Sequence, residues 1–426
     1  MSIFDKNAKQ INGPINIIRM EGEVNSIKKV IYIFMDQHIS LTQQTECDNV
    51  FAKDIDIFFA ENFSKLNDGD KIYDFFLEIM PTNTQNVKYG YSFESNVNYR
   101  DIYILEVVKL FRKLFKYEPK KNKVTVSKYF RNVRLHYMDV RDYFEGAYFQ
   151  GIFDAESIAA DILTNQHINP KALETLIQIL SDFKIYTEII RSVIRSYKKN
   201  THITKPKKIN LVNYGVKPNV ENQKKIFTEN IKYIIYKTFI RYSHKNIQQK
   251  LSKQMNVLDN YLSDLITSSE YILNEFESIS NVIASADINK LTKQEDFVTE
   301  YSYGIGTRVY LKMLFFIREN IAILSNKSTY FFTRFMDVYF LRRFLDKDYI
   351  TNAITYTGSY HSTVYIEILS KDFGFKITNF FYSKITDINR LNVQIKKLEA
   401  AALGEIFYPE VKSQCSDLSD FPDNFS

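Results

Sequence analysis

Two histidines that lie far apart in the sequence each follow a segment with the character of a hydrophobic strand. His38 ends the run that starts at Lys29, and His361 follows the run from Ile354 to Tyr360. In sheets covered by helices, ligands collect beyond the carboxyl ends of the strands, so a polar residue just past a buried strand is a candidate site residue. The chain contains six histidines, and two of them at such positions indicate one shared site.

Carboxylates accompany the same predicted strand ends. Asp36 lies two residues before His38, Glu78 lies inside a second apolar segment, and Asp139 follows a third. An unpaired charge inside an apolar run is costly, so Glu78 needs either a partner or a function. If the strands are parallel, their carboxyl ends meet at one edge of the sheet, and these side chains can converge on one pocket.

Two imidazoles together with carboxylates suit two kinds of chemistry. The first is binding of Zn²⁺, Mn²⁺ or Fe²⁺, with His38, His361 and Glu78 as ligands and an open position for water or substrate. The second is metal-free hydrolysis, in which one histidine is the general base and Asp36 orients it. The helix expected after Gly358 would favour the neutral form of His361 through its dipole. A neutral imidazole serves either chemistry.

Three further residues, Arg141, Asp139 and Tyr360, are predicted to contact a substrate at the same edge. The guanidinium of Arg141 can bind an anionic group of that substrate. A structural interpretation competes, because Asp139, Arg141 and Asp142 could form an ion pair that caps the following helix. A lone histidine at a strand end could likewise be purely structural. His136 lies within its strand and is predicted to be a core residue.

The elements that must position these residues follow from the hydrophobic pattern. The first third of the chain alternates strand and helix signals, which predicts an α/β fold with a mostly parallel or mixed sheet flanked by helices. The middle of the chain is helical, and the last third returns to the pattern of the core. The main predicted elements of the core are strands at 30–35, 72–80, 133–138, 353–356 and 373–377, and helices at 54–63, 102–115, 304–324, 330–345 and 360–370.

These signals divide the chain into four parts. Residues 1–145 form the N-terminal part of the α/β core, and residues 301–408 form its C-terminal part. Residues 146–300 form a large all-helical insertion that serves as a cap or an interaction subdomain. Residues 409–426 form an acidic tail that is predicted to be disordered.

Composition places the chain among globular proteins, with 45% hydrophobic and 25% charged residues. The 34 Phe and 30 Tyr, without any Trp, fit an AT-rich genome, and most of these rings are predicted to fill the core. A net charge of +6 over 426 residues is too mild to predict nucleic acid as the partner. Nucleic-acid binding through the lysine-rich loops is a weaker alternative, which a steep salt dependence would support.

The two cysteines, Cys47 and Cys415, form no CxxC pair and are predicted to be reduced, as in an intracellular protein. The first residues lack the apolar core of a signal peptide. No apolar stretch reaches the length that spans a bilayer. These features predict a protein without a membrane span in a reducing compartment.

The order of the candidate residues resembles the motifs of the erythromycin-esterase, TraB/TIKI and ChaN-like superfamily. Its members carry Gly-Glu-x-His or Glu-x-x-His after the first strand, an acidic residue ending a following strand, and a late Gly-x-x-His. Asp36-Gln37-His38 is similar to the first motif, Leu77-Glu78 to the second, and Gly358-Ser359-Tyr360-His361 to the third. The first motif departs from the superfamily by having Asp in place of Glu and Met35 in place of Gly.

The resemblance implies a site of hydrolysis, or of metal or haem binding, around Asp36, His38, Glu78 and His361. It implies a hydrolase, with or without a divalent metal, that acts on a small molecule or a peptide. The alternative is a non-enzymatic interaction or virion protein on a degenerate version of the same fold, with viral or host proteins as its partners.

A second resemblance concerns the source of the chain. The segments 133–143 and 356–369 look like parts of uncharacterised proteins from mimivirus-like giant viruses, which agrees with the composition. This resemblance implies the host cytoplasm or a virion as the setting, and it implies no function.

Overall fold

The computed structural model describes residues 9–37, 45–79, 103–118, 123–199, 204–207, 220–285, 305–411 and 413–425. The chain divides into two compact units. The first, which we call the α/β unit, comprises Met1–Asp139, Tyr242–Lys250 and Met336–Ser426. The second, the helical unit, comprises Val140–Arg241 and Leu251–Phe335.

Most of the strands lie in the first third of the chain. They are β1 (Gln10–Asn12), β2 (Asn16–Val24), β3 (Ile27–Asp36), β4 (Lys53–Asp54), β5 (Tyr73–Leu77), β6 (Tyr117–Glu118), β7 (Lys123–Val124), β8 (Val133–Tyr137), β9 (Asn352–Gly358), β10 (Lys376–Phe380) and β11 (Cys415–Asp417). The α-helices are α1 (Ile55–Lys65), α2 (Tyr103–Leu114), α3 (Arg141–Thr164), α4 (Pro170–Lys199), α5 (Val220–Ile235), α6 (Lys245–Ser252), α7 (Gln254–Ser285), α8 (Ile305–Asp346), α9 (Ser359–Phe373), α10 (Ile388–Gln394) and α11 (Ala400–Phe407).

A six-stranded mixed sheet forms the centre of the α/β unit, with the strand order β10-β2-β3-β9-β5-β8. The four strands β3, β9, β5 and β8 run parallel to one another, and β2 and β10 extend the sheet with antiparallel pairs. The predicted α/β fold with a mixed sheet is confirmed. The carboxyl ends of the four parallel strands therefore lie at one edge, as the sequence analysis required.

The sequence analysis did not predict strand β2, which forms a hairpin with β3. Val24 pairs with Ile27, so the turn consists of Asn25 and Ser26 alone. Both turn residues have positive φ, 52° and 62°, the backbone that a two-residue hairpin turn requires to match the twist of its strands. Asn-Ser is a weaker turn signal than Asn-Gly, because glycine adopts positive φ without the steric cost that serine meets there.

Side-chain alternation gives the parallel strands two different buried faces. One face carries Phe34, Phe75 and Tyr356, which join α1, α2 and the C-terminal residues in an aromatic cluster. Stacked and edge-on ring pairs, such as Phe75 with Phe111 at 4.1 Å between centroids, fill this layer. We call this the aromatic face. The opposite face packs against α9 and the last turns of α8, where Phe76 meets Phe340 at 4.8 Å.

Helix α8 replaces the two helices predicted at 304–324 and 330–345. The intervening residues, Ser325 to Thr329, are polar but include neither glycine nor proline. Thr329 donates its hydroxyl to the carbonyl of Ser325 at 3.0 Å, so the polar stretch is accommodated without a break. The helix contributes its first part to the helical unit and its residues from Met336 onward to the α/β unit.

The predicted disorder of the tail is wrong for residues 413–425. Strand β11 pairs antiparallel with β1, and the rings of Phe421 and Phe425 lie in the aromatic cluster. The hydroxyl of Tyr73 donates to the carbonyl of Asn424 at 3.0 Å. The acidic composition of this segment predicts disorder, but the burial of two phenylalanine rings stabilises its folded position.

The cysteines also differ from the prediction. Cys47 and Cys415 form a disulfide across 368 residues of sequence, with 4.9 Å between their Cα atoms. They meet because β1 pairs with β11 in a register that sets Asn12 opposite Cys415, and the Asn12 side chain accepts the backbone N–H of Cys47 at 2.9 Å. Spacing in the sequence carries no information about such a tertiary pairing.

The helical unit is built from long amphipathic helices. Apolar side chains recur at intervals of three and four residues along α4 and α7 and are buried where these helices pack together. Asp259 of α7 joins Arg191 and Arg195 of α4 at 3.0 and 2.9 Å. Within the parts of the chain that the structure describes, no helix has both the length and the apolar character of a membrane span.

A buried lysine caps the carboxyl end of helix α8. Lys29 of β3 is 1% exposed, and its ammonium donates to the carbonyls of Phe344, Lys347 and Ile350 at 3.1, 2.9 and 2.5 Å. Phe344 lies in the last turn of α8, and Lys347 and Ile350 follow the end of the helix, where a positive charge is favourable. Burial lowers the pKa of Lys29 to about 8, so the amine keeps its charge at neutral pH.

We expect Lys29→Met to reduce the free energy of unfolding by about 2–3 kcal/mol, because methionine fills the space but removes the ammonium donor from three carbonyls at the end of α8. Lys28→Met is the matched control, since Lys28 precedes it on the same strand and is exposed. Chemical denaturation of both variants at pH 7 measures the difference. Equal stability of the two variants would contradict the capping role.

Candidate functional site

Three elements of the α/β unit bring polar side chains together at the carboxyl edge of the parallel strands. Glu78 directly follows β5, His361 lies in the first turn of α9, and Asp337 projects from α8. Gly358 is the last residue of β9, and α9 begins at the next residue, so the strand passes into the helix without a loop. This sharp transition sets His361 next to the end of the neighbouring strand.

Glu78, His361 and Asp337 form a continuous chain of ion pairs. The Nε2 of His361 lies 3.1 Å from Glu78 Oε1, and its Nδ1 lies 2.5 Å from Asp337 Oδ1. The second oxygen of Glu78 accepts the backbone N–H of Gly358 at 2.8 Å. The sequence analysis predicted that Glu78 and His361 share a site, and the structure brings them into contact.

Burial increases towards the inner end of this chain. The Asp337 side chain is 0% exposed, His361 is 9% exposed, and Glu78 is 15% exposed. Desolvation alone would lower the pKa of His361, but the charges of Glu78 and Asp337 outweigh it and raise this pKa well above 6.5. Two carboxylates in contact thus favour the protonated imidazole, against the neutral form expected from the helix dipole.

Tyr365 and Thr357 complete the surroundings on the inner side. Burial, together with the charges of Asp337 and Glu78, raises the pKa of Tyr365 well above its usual range, so this phenol stays protonated. The ring of Tyr365 packs on Phe340 at 4.5 Å. Thr357 shares a hydrogen bond of 3.3 Å with Ser362 in the next turn. The imidazolium is thus held between two carboxylates, of which the inner one, Asp337, is fully buried.

Asp36 points to the other side of the sheet. It pairs with Gly358 across β3 and β9, and strand alternation directs it to the aromatic face together with Phe34 and Tyr356. There the amide of Gln414 donates to its carboxylate at 3.4 Å. Asp36 therefore belongs to the same edge as the ion-pair chain but not to the same side-chain cluster.

The remaining predicted site residues are divided between several places. His38 lies outside the described residues. Asp139 is buried at the end of the α/β unit, and Arg141 is exposed at the first turn of α3, in the helical unit. Tyr360 is half-buried immediately before His361. Their role in binding a substrate stays a prediction.

A second buried histidine offers a useful comparison. His136 of β8 lies 2.6 Å from Asp74 Oδ1, while Arg134 makes a bidentate pair with both oxygens of the same carboxylate. Burial lowers the pKa of His136 to about 4, and its ring stacks on Phe76 at 4.6 Å. His136 is a neutral residue of the strand interior, as the sequence analysis expected of a core histidine.

The ion-pair chain does not fit a metal ion. A histidine ligand must offer an unprotonated nitrogen, whereas both nitrogens of His361 face carboxylates at hydrogen-bonding distance. Among the described residues, no three His, Cys, Asp or Glu side chains are grouped so that they could hold a metal. The described residues therefore give no support to the predicted site for Zn²⁺, Mn²⁺ or Fe²⁺.

Asp337 was not among the predicted site residues, although the sequence carries a signal for it. Asp337 is a single carboxylate inside the apolar run from Phe335 to Phe340. The same criterion that selected Glu78, the cost of a charge inside an apolar run, would have selected Asp337 as a residue that needs a partner. A charged residue inside an apolar stretch of a helix indicates a buried partner just as well as one inside a buried strand does.

Comparison with known proteins places the chain in a viral context. The family of unknown function DUF5847 matches residues 9–426. The chain is 35% identical over 425 residues to "Uncharacterized protein R706" of Acanthamoeba polyphaga mimivirus, covering 99% of this chain and 98% of the relative. It is 37% identical over 448 residues to "Uncharacterized protein R161" of the same virus, covering 100% of both. No solved structure matches. The resemblance to mimivirus proteins is confirmed.

The two buried histidines should give opposite pH dependences of stability. His361 has a raised pKa in the folded chain, so its contribution is complete below pH 6.5 and declines above it, by about 1.4 kcal/mol per pH unit. His136 has a pKa of about 4, so its contribution is complete above pH 6.5 and declines as the pH falls towards 4. Denaturation of His361→Gln and His136→Gln against the parent at pH 5, 6.5 and 8 measures both trends. Parallel trends would contradict a charged imidazole at His361 and a neutral one at His136.

Proposed function

The chain belongs to the DUF5847 family, and we propose that this giant-virus protein is a hydrolase that acts at the carboxyl edge of its parallel strands. The observation that carries the proposal is the chain of ion pairs Asp337–His361–Glu78. Burying charges is costly, and here two carboxylates and an imidazolium are retained at the edge where α/β proteins bind ligands. Perturbed charged groups at such a position favour a reactive site.

Glu78 would be the residue that contacts the reacting water. It is the most exposed member of the chain, and one of its oxygens is fixed by the Gly358 amide. Its carboxylate would take a proton from water as the water oxygen attacks the substrate, and it would return that proton to the leaving group. His361 and Asp337 would position Glu78 and balance its charge.

The proposed reaction is metal-free, because the nitrogens of His361 already have partners. The resemblance to the erythromycin-esterase, TraB/TIKI and ChaN-like superfamily supports hydrolysis through the order of Glu78, Gly358 and His361. It adds His38 as a second acid–base residue. A small molecule or a peptide with an ester or amide bond is the proposed substrate class, and Arg141, Asp139 and Tyr360 are proposed to contact it.

A second function is favoured by one specific observation. The three members of the chain pair with one another, and Glu78 also fixes the turn between β9 and α9 through Gly358. The same contacts would hold that turn in a protein without activity. Such a protein would keep the fold as a scaffold that binds viral or host proteins, in the host cytoplasm or in a virion.

The test is a hydrolysis screen of the purified full chain with chromogenic esters, phosphodiesters and fluorogenic peptides. We expect activity in the parent and a loss of about 100-fold or more in kcat for Glu78→Gln and for His361→Asn. His136→Asn is the matched control, because it removes a buried histidine that also contacts a carboxylate. This control should keep the activity of the parent.

Two outcomes separate the functions. If His136→Asn abolishes activity as strongly as His361→Asn does, the loss reflects disturbed folding, and the proposed catalytic site is contradicted. No activity in any variant, together with binding of viral proteins that Glu78→Gln leaves unchanged, would favour the scaffold. Addition of EDTA should leave hydrolysis unchanged, and a loss of activity would contradict the metal-free reaction.

A further inference from the structure

Cys415 of the disulfide lies in a small three-stranded sheet of the α/β unit, which is distinct from the six-stranded sheet. Strand β11 has three residues, it pairs with the three residues of β1, and β1 pairs with the two residues of β4. Sheets of this size have little stability of their own, since few backbone hydrogen bonds and little apolar area hold them. A covalent bond at this point has a large share in fixing the strand.

The two cysteines of the disulfide border a cleft. Both cysteines are half-buried, and they line a cleft of about 520 Å³. Tyr382, Pro409 and the largely exposed Val411 also line this cleft. Exchange of a disulfide requires that a thiolate reach one of its sulfur atoms along the bond. A cleft of this volume admits a small dithiol, or the side chain of a protein thiol.

The disulfide holds residues 413–425, and the backbone at the far end of this segment has an unfavourable conformation. Asn424 and Phe425 both have positive φ, 54° and 53°, a region that residues other than glycine rarely occupy. The ring of Phe425 contacts Tyr32 at 5.3 Å, with its centroid 5.6 Å from that of Phe63. Two contacts therefore hold this segment in place despite the unfavourable backbone. They are the buried rings at one end and the disulfide at the other.

We propose that Cys47–Cys415 is a reversible thiol–disulfide exchange site that controls the order of residues 413–425, which we call the C-terminal segment. A dithiol would reduce the bond, so that two electrons and two protons convert Cys47 and Cys415 to thiols and the dithiol becomes a disulfide. The reverse reaction with a disulfide donor restores the bond. In the reduced chain the C-terminal segment detaches from β1 and uncovers the aromatic face.

Gln414 of the C-terminal segment reaches the carboxyl end of β3. Gln414, next to Cys415, donates its side-chain amide to Asp36 and to the carbonyl of Gln37, both at 3.4 Å. Its backbone N–H donates to the carbonyl of Thr45 at 3.0 Å. Release of the segment removes these contacts from the end of β3. The redox state is thereby linked to the strand end that pairs with Gly358.

The test compares hydrogen exchange in the oxidised and reduced full chain by mass spectrometry. Reduction with dithiothreitol in native buffer should accelerate exchange in peptides of the C-terminal segment by tenfold or more, including the amides of Gln414 and Leu418. Peptides of β9 are the internal control and should keep their slow exchange. Oxidised dithiothreitol should restore the slow exchange, and maleimide labelling should count two thiols in the reduced chain only.

The double variant Cys47→Ser, Cys415→Ser should exchange like the reduced parent and should not respond to dithiothreitol. Three results would each overturn the proposal. Failure of dithiothreitol to expose thiols without denaturant would show that the bond is inaccessible. Unchanged exchange after reduction would show that the segment holds without the bond, and equal acceleration in β9 would show that the bond stabilises the whole fold. None of these measurements depends on hydrolase activity.

Discussion

The position of β9 is the constraint on which the rest of the α/β unit depends. This strand comes after the helical unit in the sequence, yet it lies between β3 and β5 in the sheet. Its backbone hydrogen bonds on both sides set the register of the four parallel strands, with Tyr356 opposite Phe34 and Leu77. Until β9 is in place, β3 and β5 have no common neighbour, and the edge that carries the candidate site does not exist.

Among the described residues, three polar clusters lie on the face opposite the aromatic face, and in each of them the buried charged group has a protein partner. Lys29 meets carbonyls at the end of α8, Asp74 meets Arg134 and His136, and His361 meets Glu78 and Asp337. The first two lie within the layers and stabilise them. The third lies where strands end, and of these three it alone combines an imidazolium with a carboxylate that is partly exposed. Position in the sheet, more than the degree of burial, distinguishes a candidate reactive group from a structural one.

The C-terminal segment shows how far a short sequence can act through tertiary contacts. Its rings enter the aromatic cluster, its cysteine bonds to Cys47, and its Gln414 contacts the end of β3. Each of these contacts joins the end of the chain to its beginning. None of them leaves a local pattern in the sequence, because hydrophobic periodicity and turn signals report on neighbours along the chain.

The sequence by itself determined the α/β class, the parallel strands and the helical middle, because these follow from periodicity within each segment. The sequence also indicated that Glu78 needs a partner, because a charge inside a buried apolar segment is costly unless it is paired. Only the tertiary structure decided which partner that would be. The pairing of His361 with Asp337, the separation of Asp36 on the other face and the charged state of the imidazole depend on strand order and on the side-chain alternation of paired strands. Those are properties of the assembled sheet, and no single segment contains them.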